Sequence, residues 1–443
     1  MAVLALFLAA LLSTHLARPD RPVEKAWDGR TRAIHEWGTF VSVQGSDGVA
    51  LRGLRHHDRD LPPFVHGLEK RGGITTLQLK METPVVYFHA PGTWRLDVDV
   101  RFPRGLVTEW WPTAARVNDP CAREAGAVEV LTKKPEEWKD GFVAWGRRCD
   151  LVVLPRDAEV ELAPVDPADP WGFARDVAAN PLRVARRIEA ERQPERYGPE
   201  HEKLLFYRGL GDFPLPLSVR VRSESRRVDE RGGAVRSYEL DLELAADSER
   251  LRGLFVVEVD GDRAGFARLG DLAAGRSVVR ELALRPCEDA DVDLARAIAS
   301  ELERAGLFTD EARAMTRTWA HAWFREPGLR VLYVVPAALV ERELPLTISH
   351  SVLQTADEEA WTPAPPESVV RVFVARTEVL TRAEERGLIE TLSEHARGDP
   401  RARAEIAAWG RYALPRLERA RALAPEGPLR SAAAALVAQH RAH

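Results

Sequence analysis

Arg95-Leu96-Asp97-Val98-Asp99-Val100-Arg101-Phe102 alternates charged and apolar residues without a break. Side chains in a strand point to opposite faces with a period of two, so this octet predicts a strand with one buried and one solvated face. Ser237-Tyr238-Glu239-Leu240-Asp241-Leu242-Glu243-Leu244 repeats the pattern. Around them lie short apolar runs at Val85–Phe88, Leu106–Trp111, Leu151–Leu154 and Leu217–Val221. Phe255–Val259 is another, followed by the turn sequence Asp260-Gly261-Asp262. Pro, Gly and Asp punctuate these runs, as in sandwiches and barrels. Val278–Leu284 is expected to pair with Ser237–Leu244 and Phe255–Val259 and close a second, smaller sandwich.

After Cys287 the apolar spacing becomes helical. Asp291–Ala305 reads as a helix stopped by Gly306. Thr309-Asp310-Glu311 opens a second, with a capping hydroxyl and first-turn acids, running to Phe324. Two strands follow, Arg330–Val335 and Val369–Thr377. Thr381-Arg382-Ala383-Glu384 is a capping box, and Asp399-Pro400 starts the next helix, which Pro415 should kink or end. A last Ala-rich helix covers Leu429–His440. Trp319 and Trp323, one turn apart, read as core anchors, and Arg401, Arg403, Arg416, Arg419 and Arg421 as a solvated face. The expected fold is α+β, mainly β, with a sandwich-like antiparallel body and a helical C-terminal portion.

A chain of 443 residues exceeds the size at which one core usually stops growing. The expected units are a β-rich domain over 33–163, a Pro-rich excursion or linker over 164–202, and a second sandwich over 203–286. A mixed segment over 287–380 and helices over 381–443 complete them. The linker should carry one short helix around Leu182–Glu191. The apolar run Ala2–Leu12 is too short to span a bilayer, which takes roughly 20 residues. It suits a secretory signal over 1–17, and therefore an exported, periplasmic or extracellular protein. No later run is long enough for a membrane span. The net charge of -5 is spread evenly, without the clustered basic face of a nucleic-acid binder. In an oxidising compartment Cys121 and Cys149 could form a disulfide, leaving Cys287 free.

Candidate chemistry begins at His35-Glu36-Trp37-Gly38-Thr39. On a strand His35 and Glu36 point to opposite faces, so the adjacent pair is not itself a site. It can supply one wall of a cleft whose other wall comes from Glu82, Tyr87, His89 and Glu109. Histidines His35, His66, His89 and His201 suit a mixed nitrogen and oxygen site for zinc or another divalent ion, though no HExxH spacing is present. A hydrolytic site would use His35, Glu36, Glu82 and Glu109. Trp37, Tyr87 and Trp110 would bind ligand, and indoles beside carboxylates also fit carbohydrate handling. The same residues fit an ordinary polar core. No GxSxG or phosphate loop is present.

His35-Glu36-Trp37-Gly38-Thr39-Phe40 with Gly45-Ser46-Asp47-Gly48, Met81-Glu82-Thr83-Pro84-Val85, Phe102-Pro103 with Gly105-Leu106, and Glu109-Trp110 together resemble a group of exported bacterial proteins. Lys203–Gly209 and Trp323-Phe324-Arg325-Glu326-Pro327-Gly328 extend the resemblance over most of the chain. It implies export and a single long architecture, and assigns no catalytic role to any residue. The expectation is an envelope protein, either a hydrolase with a His/carboxylate site that binds a divalent metal, or a non-catalytic binding or scaffold protein. A carbohydrate-binding module is a third reading. A polysaccharide or protein of the envelope would be its partner.

Overall fold

The computed structural model describes residues 24–54, 61–67, 79–118, 140–146, 149–186, 198–230, 232–355 and 360–442. Its central element is the strand Ala33–Gln44, buried at all 12 positions. Both faces of this strand are covered, which is why its sequence lacks the alternation of a half-solvated strand. Ser368–Val379 runs parallel to it, and Leu79–His89 antiparallel, with His35 opposite Tyr87. The sheet continues one way through Gly328–Val334, Leu251–Asp260 and Arg263–Leu272. It continues the other way through Leu205–Gly211, Gly105–Trp111 and His66–Gly67.

Side-chain alternation along Ala33–Gln44 feeds two cores. Trp37 packs with Leu294, Ile298, Met315 and Trp323 beneath the helices Cys287–Ala305, Thr309–Thr318 and Ala320–Phe324. Ile34 and Phe40 pack on the other side with Leu96, Val98 and Val100. These last belong to Thr93–Phe102, the strand predicted from strict alternation. Its apolar positions are buried and Arg101 is exposed. Burying each such side chain contributes roughly 1.5–3 kcal/mol. Thr93–Phe102 pairs with Gly141–Trp145, Cys149–Val153 and Leu346–Gln354 in a second sheet. Val41 and Val43 pack against Leu392, Ile406 and Leu417 of the C-terminal helices.

The α+β, mainly β class stands, and several finer expectations do not. Strands from the segments 33–163, 203–286 and 287–380 interleave in the large sheet, while the strands of 164–202 join the second sheet. Leu251–Asp260 joins that large sheet. Arg276–Ala283 pairs with Ala234–Leu244, as expected, and through it with Leu217–Val228 in a three-stranded sheet, but not with Leu251–Asp260. Leu182–Arg186 is a strand against Cys149–Val153, and the rest of the expected helix to Glu191 lies outside the described residues. Leu-Arg-Val-Ala-Arg carries a period of two, and pairing decided the matter. Pro415 neither kinks nor ends a helix. Pro400–Ala408 has already stopped, and Pro415 sits in the first turn of Ala413–Leu423, where a missing N–H costs nothing. Arg419 is not solvated: it is buried and donates to Glu385 at 2.6 Å and Asp47 at 2.9 Å. The leader, His56, His57 and Cys121 lie outside the described residues.

Two of the sequence blocks turn out to face each other. Trp37 pairs with Val85 and Thr39 with Glu82, and the register slips between them at Gly38. A Cβ on Gly38 would stand 2.8 Å from the Phe373 ring and 3.0 Å from Pro84 Cα. Pro84 cannot donate to the ladder, so the irregularity is where a strand tolerates it. Gly38→Ala is expected to cost roughly 1–3 kcal/mol by overpacking. An unchanged urea midpoint would show that the neighbouring ring and proline yield freely. The Gly45–Gly48 turn has a docking role as well, since the N–H and hydroxyl of Ser46 donate to Glu385 at 2.8 and 2.7 Å.

Candidate functional site

Three ligating side chains from distant parts of the chain meet under the helical face of the large sheet. His35 lies on the central strand, and His89 ends the neighbouring strand, where Ala33 pairs with His89. Residues two apart in register point to the same face, which sets the two imidazoles side by side with ring centroids 5.4 Å apart. Glu311, in the first turn of Thr309–Thr318, comes down onto both. Its Oε2 lies 2.6 Å from His35 Nδ1, and its Oε1 lies 3.1 Å from His89 Nε2. A carboxylate only accepts, so both nitrogens carry protons in this arrangement.

Local chemistry explains why Glu311 points that way. Its Oε2 also accepts the Phe308 N–H at 2.8 Å, the back-bond of a capping box. Phe308, rather than Thr309, is the N-cap. The Phe308 ring fills the angle between the histidines, with its centroid 4.3 Å from that of His35 and 5.0 Å from that of His89. His35, His89 and Glu311 are 2%, 1% and 0% exposed, so water contributes little to solvating the carboxylate. Burial raises its pKa, but the hydrogen bonds and charge of the two histidines outweigh that and hold it at about 2.

The donor atoms of the three residues lie within 4.8 Å of one another. Two imidazoles and a carboxylate form a common donor set for zinc. Tetrahedral bonds of about 2.1 Å would put ligand atoms roughly 3.4 Å apart, so a small opening of the present contacts would admit an ion. His89 Nδ1 has no hydrogen-bond partner. A cavity of about 190 Å³ reaches His89 and Phe308 from outside, closed by Lys25, Trp27, Arg156 and Arg313.

Of the four histidines expected to form one metal set, only His35 and His89 converge. His66 is four strands away along the large sheet, roughly 19 Å at normal strand spacing. It lies instead 3.3 Å from Glu200 and 3.1 Å from Thr113 Oγ1. His201 is on Glu200–Glu202, in the other sheet, where burial and then Arg183 lower its pKa.

The expected catalytic carboxylates are likewise dispersed. Glu36 points away from His35 and accepts from Arg371 and Tyr207, each at 2.5 Å. Glu82 lies 3.2 Å from Lys80 and accepts from Arg411 at 3.0 Å. Glu109 accepts from its neighbour Thr108 at 2.6 Å. Each is committed to its own partners, so they do not form the paired acid and base that glycoside hydrolysis needs. Trp37 is fully buried beside Tyr87, whose hydroxyl donates to Ala174 O at 2.9 Å. Trp110 flanks His66, with ring centroids 6.1 Å apart. Glu311 was the residue missing from the sequence reading. Its only signal was its place among the first-turn acids of a helix, which is shared by many exposed carboxylates.

No protein-family model and no curated protein matches the chain. Among solved structures, the Fcho1 Mu homology domain of Danio rerio with bound Eps15 peptide is 10% identical. The match covers 79% of this chain and 96% of that one, with a TM-score of 0.28. The yeast delta-COP-I mu-homology domain is 8% identical over 80% and 98% of the two chains, with a TM-score of 0.25. Superpositions this shallow carry no argument about the present protein.

Proposed function

We propose that this is an exported metalloprotein that holds one divalent ion, zinc by the chemistry of its donors, on His35, His89 and Glu311. Hydrolysis is the reaction class such a site serves. The observation that carries the reading is the convergence of two buried imidazoles and a buried carboxylate from three separate elements, with His89 bordering a cavity. A bound ion would supply Lewis-acid polarisation of a substrate oxygen. The protein's own part is to fix the two rings with Glu311 and Phe308 and to exclude bulk water. Export is supported by the apolar leader Ala2–Leu12. Among the described residues no helix is long and apolar enough to cross a membrane.

A second reading rests on a different observation. Glu311 already accepts from His35, His89 and the Phe308 N–H, which is a satisfied carboxylate without any ion. In that case the cluster pins the Thr309–Thr318 helix to the sheet of a binding or scaffold protein. Protein purified without chelator separates the two. The metalloprotein is expected to carry zinc at one ion per chain by mass spectrometry, with affinity reduced at least about 100-fold in His89→Ala. A folded wild-type protein that takes up no zinc on dialysis against micromolar ion would leave only the pin.

A further inference from the structure

We propose that Glu24–Arg32 is a strap that opens while the rest of the protein stays folded, and that Trp27 on it is the plug closing the way to His89. That an ion passes there rests on the metal reading, whereas the opening rests on how the segment is held. It belongs to no helix or strand, and from Glu24 to Arg30 only Trp27 is not exposed. Two fastenings tie it down. At one, Lys25 N–H donates to Thr309 Oγ1 at 2.9 Å, Thr309 N–H donates to Lys25 O at 2.8 Å, and Lys25 Nζ donates to Gly306 O at 2.8 Å. At the other, Arg32 O accepts the Glu367 N–H at 2.8 Å, and Arg32 Nε donates to Pro365 O at 2.9 Å. Between them the hydrogen bonds among the described residues stay within the segment. Asp28 accepts the N–H groups of Arg30 and Thr31, each at 2.9 Å, and Trp27 Nε1 donates to Thr31 O at 2.8 Å.

Trp27 stands where such an opening matters. Its ring centroid lies 5.9 Å from that of His89, which is 1% exposed. The other rings against His89 are His35, on the central strand, and Phe308, the N-cap of Thr309–Thr318. Both are fixed by regular structure, so Trp27 is the neighbour that can leave without moving a strand or helix. Glu24, Lys25, Ala26 and Trp27 also form one side of the cavity that reaches His89, with Arg156, Ala178 and Arg313 among the residues of the other sides. Swinging the indole away joins that space to the His89 ring. What resists the swing is one half-buried side chain, the Arg156 guanidinium over it at 5.6 Å, and the bonds of one fastening. Segments with little buried apolar surface and exposed backbone open at a small fraction of the global unfolding free energy. The strand Ala33–Gln44, which follows directly, is instead buried at every position and paired on both sides.

The test is the rate at which diethyl pyrocarbonate acylates His89 in metal-free full-length protein, mapped by mass spectrometry. His350, exposed on Leu346–Gln354, serves as the internal standard. Trp27→Ala should speed His89 labelling at least about tenfold relative to His350, because the lost packing of the indole favours the open form. Thr309→Val removes the acceptor of Lys25 N–H without touching the indole, and should speed it several-fold. Where wild type binds zinc, Trp27→Ala should take up the ion and release it to excess chelator faster by similar factors, leaving affinity nearly unchanged. A merely structural indole would speed release alone and weaken binding. Labelling at the wild-type rate in either variant, or zinc release at the wild-type rate from Trp27→Ala, overturns the strap. Loss of the folded state in either variant overturns it too, since a segment that opens alone does not carry the fold. If no zinc binds, the metal reading falls, and the labelling still decides the strap.

Discussion

Glu311→Ala is expected to lower unfolding free energy by about 3–5 kcal/mol at neutral pH, the usual cost of removing one partner from a buried charged pair. The residue does three things with one carboxylate. It caps the Thr309–Thr318 helix through the Phe308 N–H, and it accepts from His35 and from His89. The alanine variant leaves both imidazole N–H groups without an acceptor in a site that is 2% exposed at most. Stability should therefore fall, and zinc uptake should disappear with it.

The pH dependence of this loss has a definite sign. The Glu311 pKa is depressed from an ordinary value of 4.5 to about 2 in the folded state, so the unfolded chain binds more protons between those values. Its contribution is complete above about pH 4.5 and is lost as pH falls towards 2. The gap between wild type and Glu311→Ala in urea unfolding should close as pH falls from about 4.5 towards 2. Equal midpoints at pH 7 would refute the role assigned to the carboxylate. Chelator adds a second axis. A wild-type melting temperature that drops on metal removal assigns part of the stabilisation to an ion, and one that does not move assigns all of it to the hydrogen bonds.

How far the sequence leads depends on which faces of an element meet water. Thr93–Phe102 has a wet face, and its alternation made it legible to the residue. Ala33–Gln44 is covered on both sides, so His35, Glu36 and Trp37 look alike as buried positions. Only the neighbours distinguish a residue that meets Glu311 from one that meets Arg371. Helix starts were legible where a side chain does the capping: Thr381 accepts the Glu384 N–H as its box predicts. The interleaving of the large sheet was not legible. The pairing of Ala33–Gln44 with Ser368–Val379 joins residues more than 300 positions apart and leaves no mark in local composition. The candidate site fell between these cases. Two of its members stood out as histidines, but their convergence, and the arrival of Glu311, depend on strand register and helix docking.

Arg376→Met is expected to be as costly as the loss of Glu311, about 3–5 kcal/mol, and through the same physics at a different seam. Arg376 is fully buried. It donates to Glu378 at 2.5 Å, to Glu326 at 2.5 Å and to the Tyr412 hydroxyl at 3.1 Å. Arg411 joins Glu326 at 2.7 Å and Glu82 at 3.0 Å. Arg330 donates to the carbonyls of Ala322 and Trp323, each at 3.0 Å, where the Ala320–Phe324 helix ends. This network ties the central strands to the turn that precedes the last helices. Burial alone would raise the Glu326 pKa, but Arg376 first, then Arg411, hold it at about 2. With methionine at 376, Glu378 and Glu326 lose their shared cation, and the Glu326 pKa should climb back towards or above 4.5. The stability that wild type loses between about pH 4.5 and pH 2 should then be partly absent already at pH 7. The acid limb of the variant's stability profile should accordingly be shallower. Because the network fastens Gly410–Tyr412 and Ala413–Leu423 to the sheet, limited proteolysis should cut the variant first after about residue 380. Cleavage spread evenly along the chain, or a stability profile parallel to wild type, would show that this seam is held by the apolar contacts of Val41, Val43 and Leu417 alone.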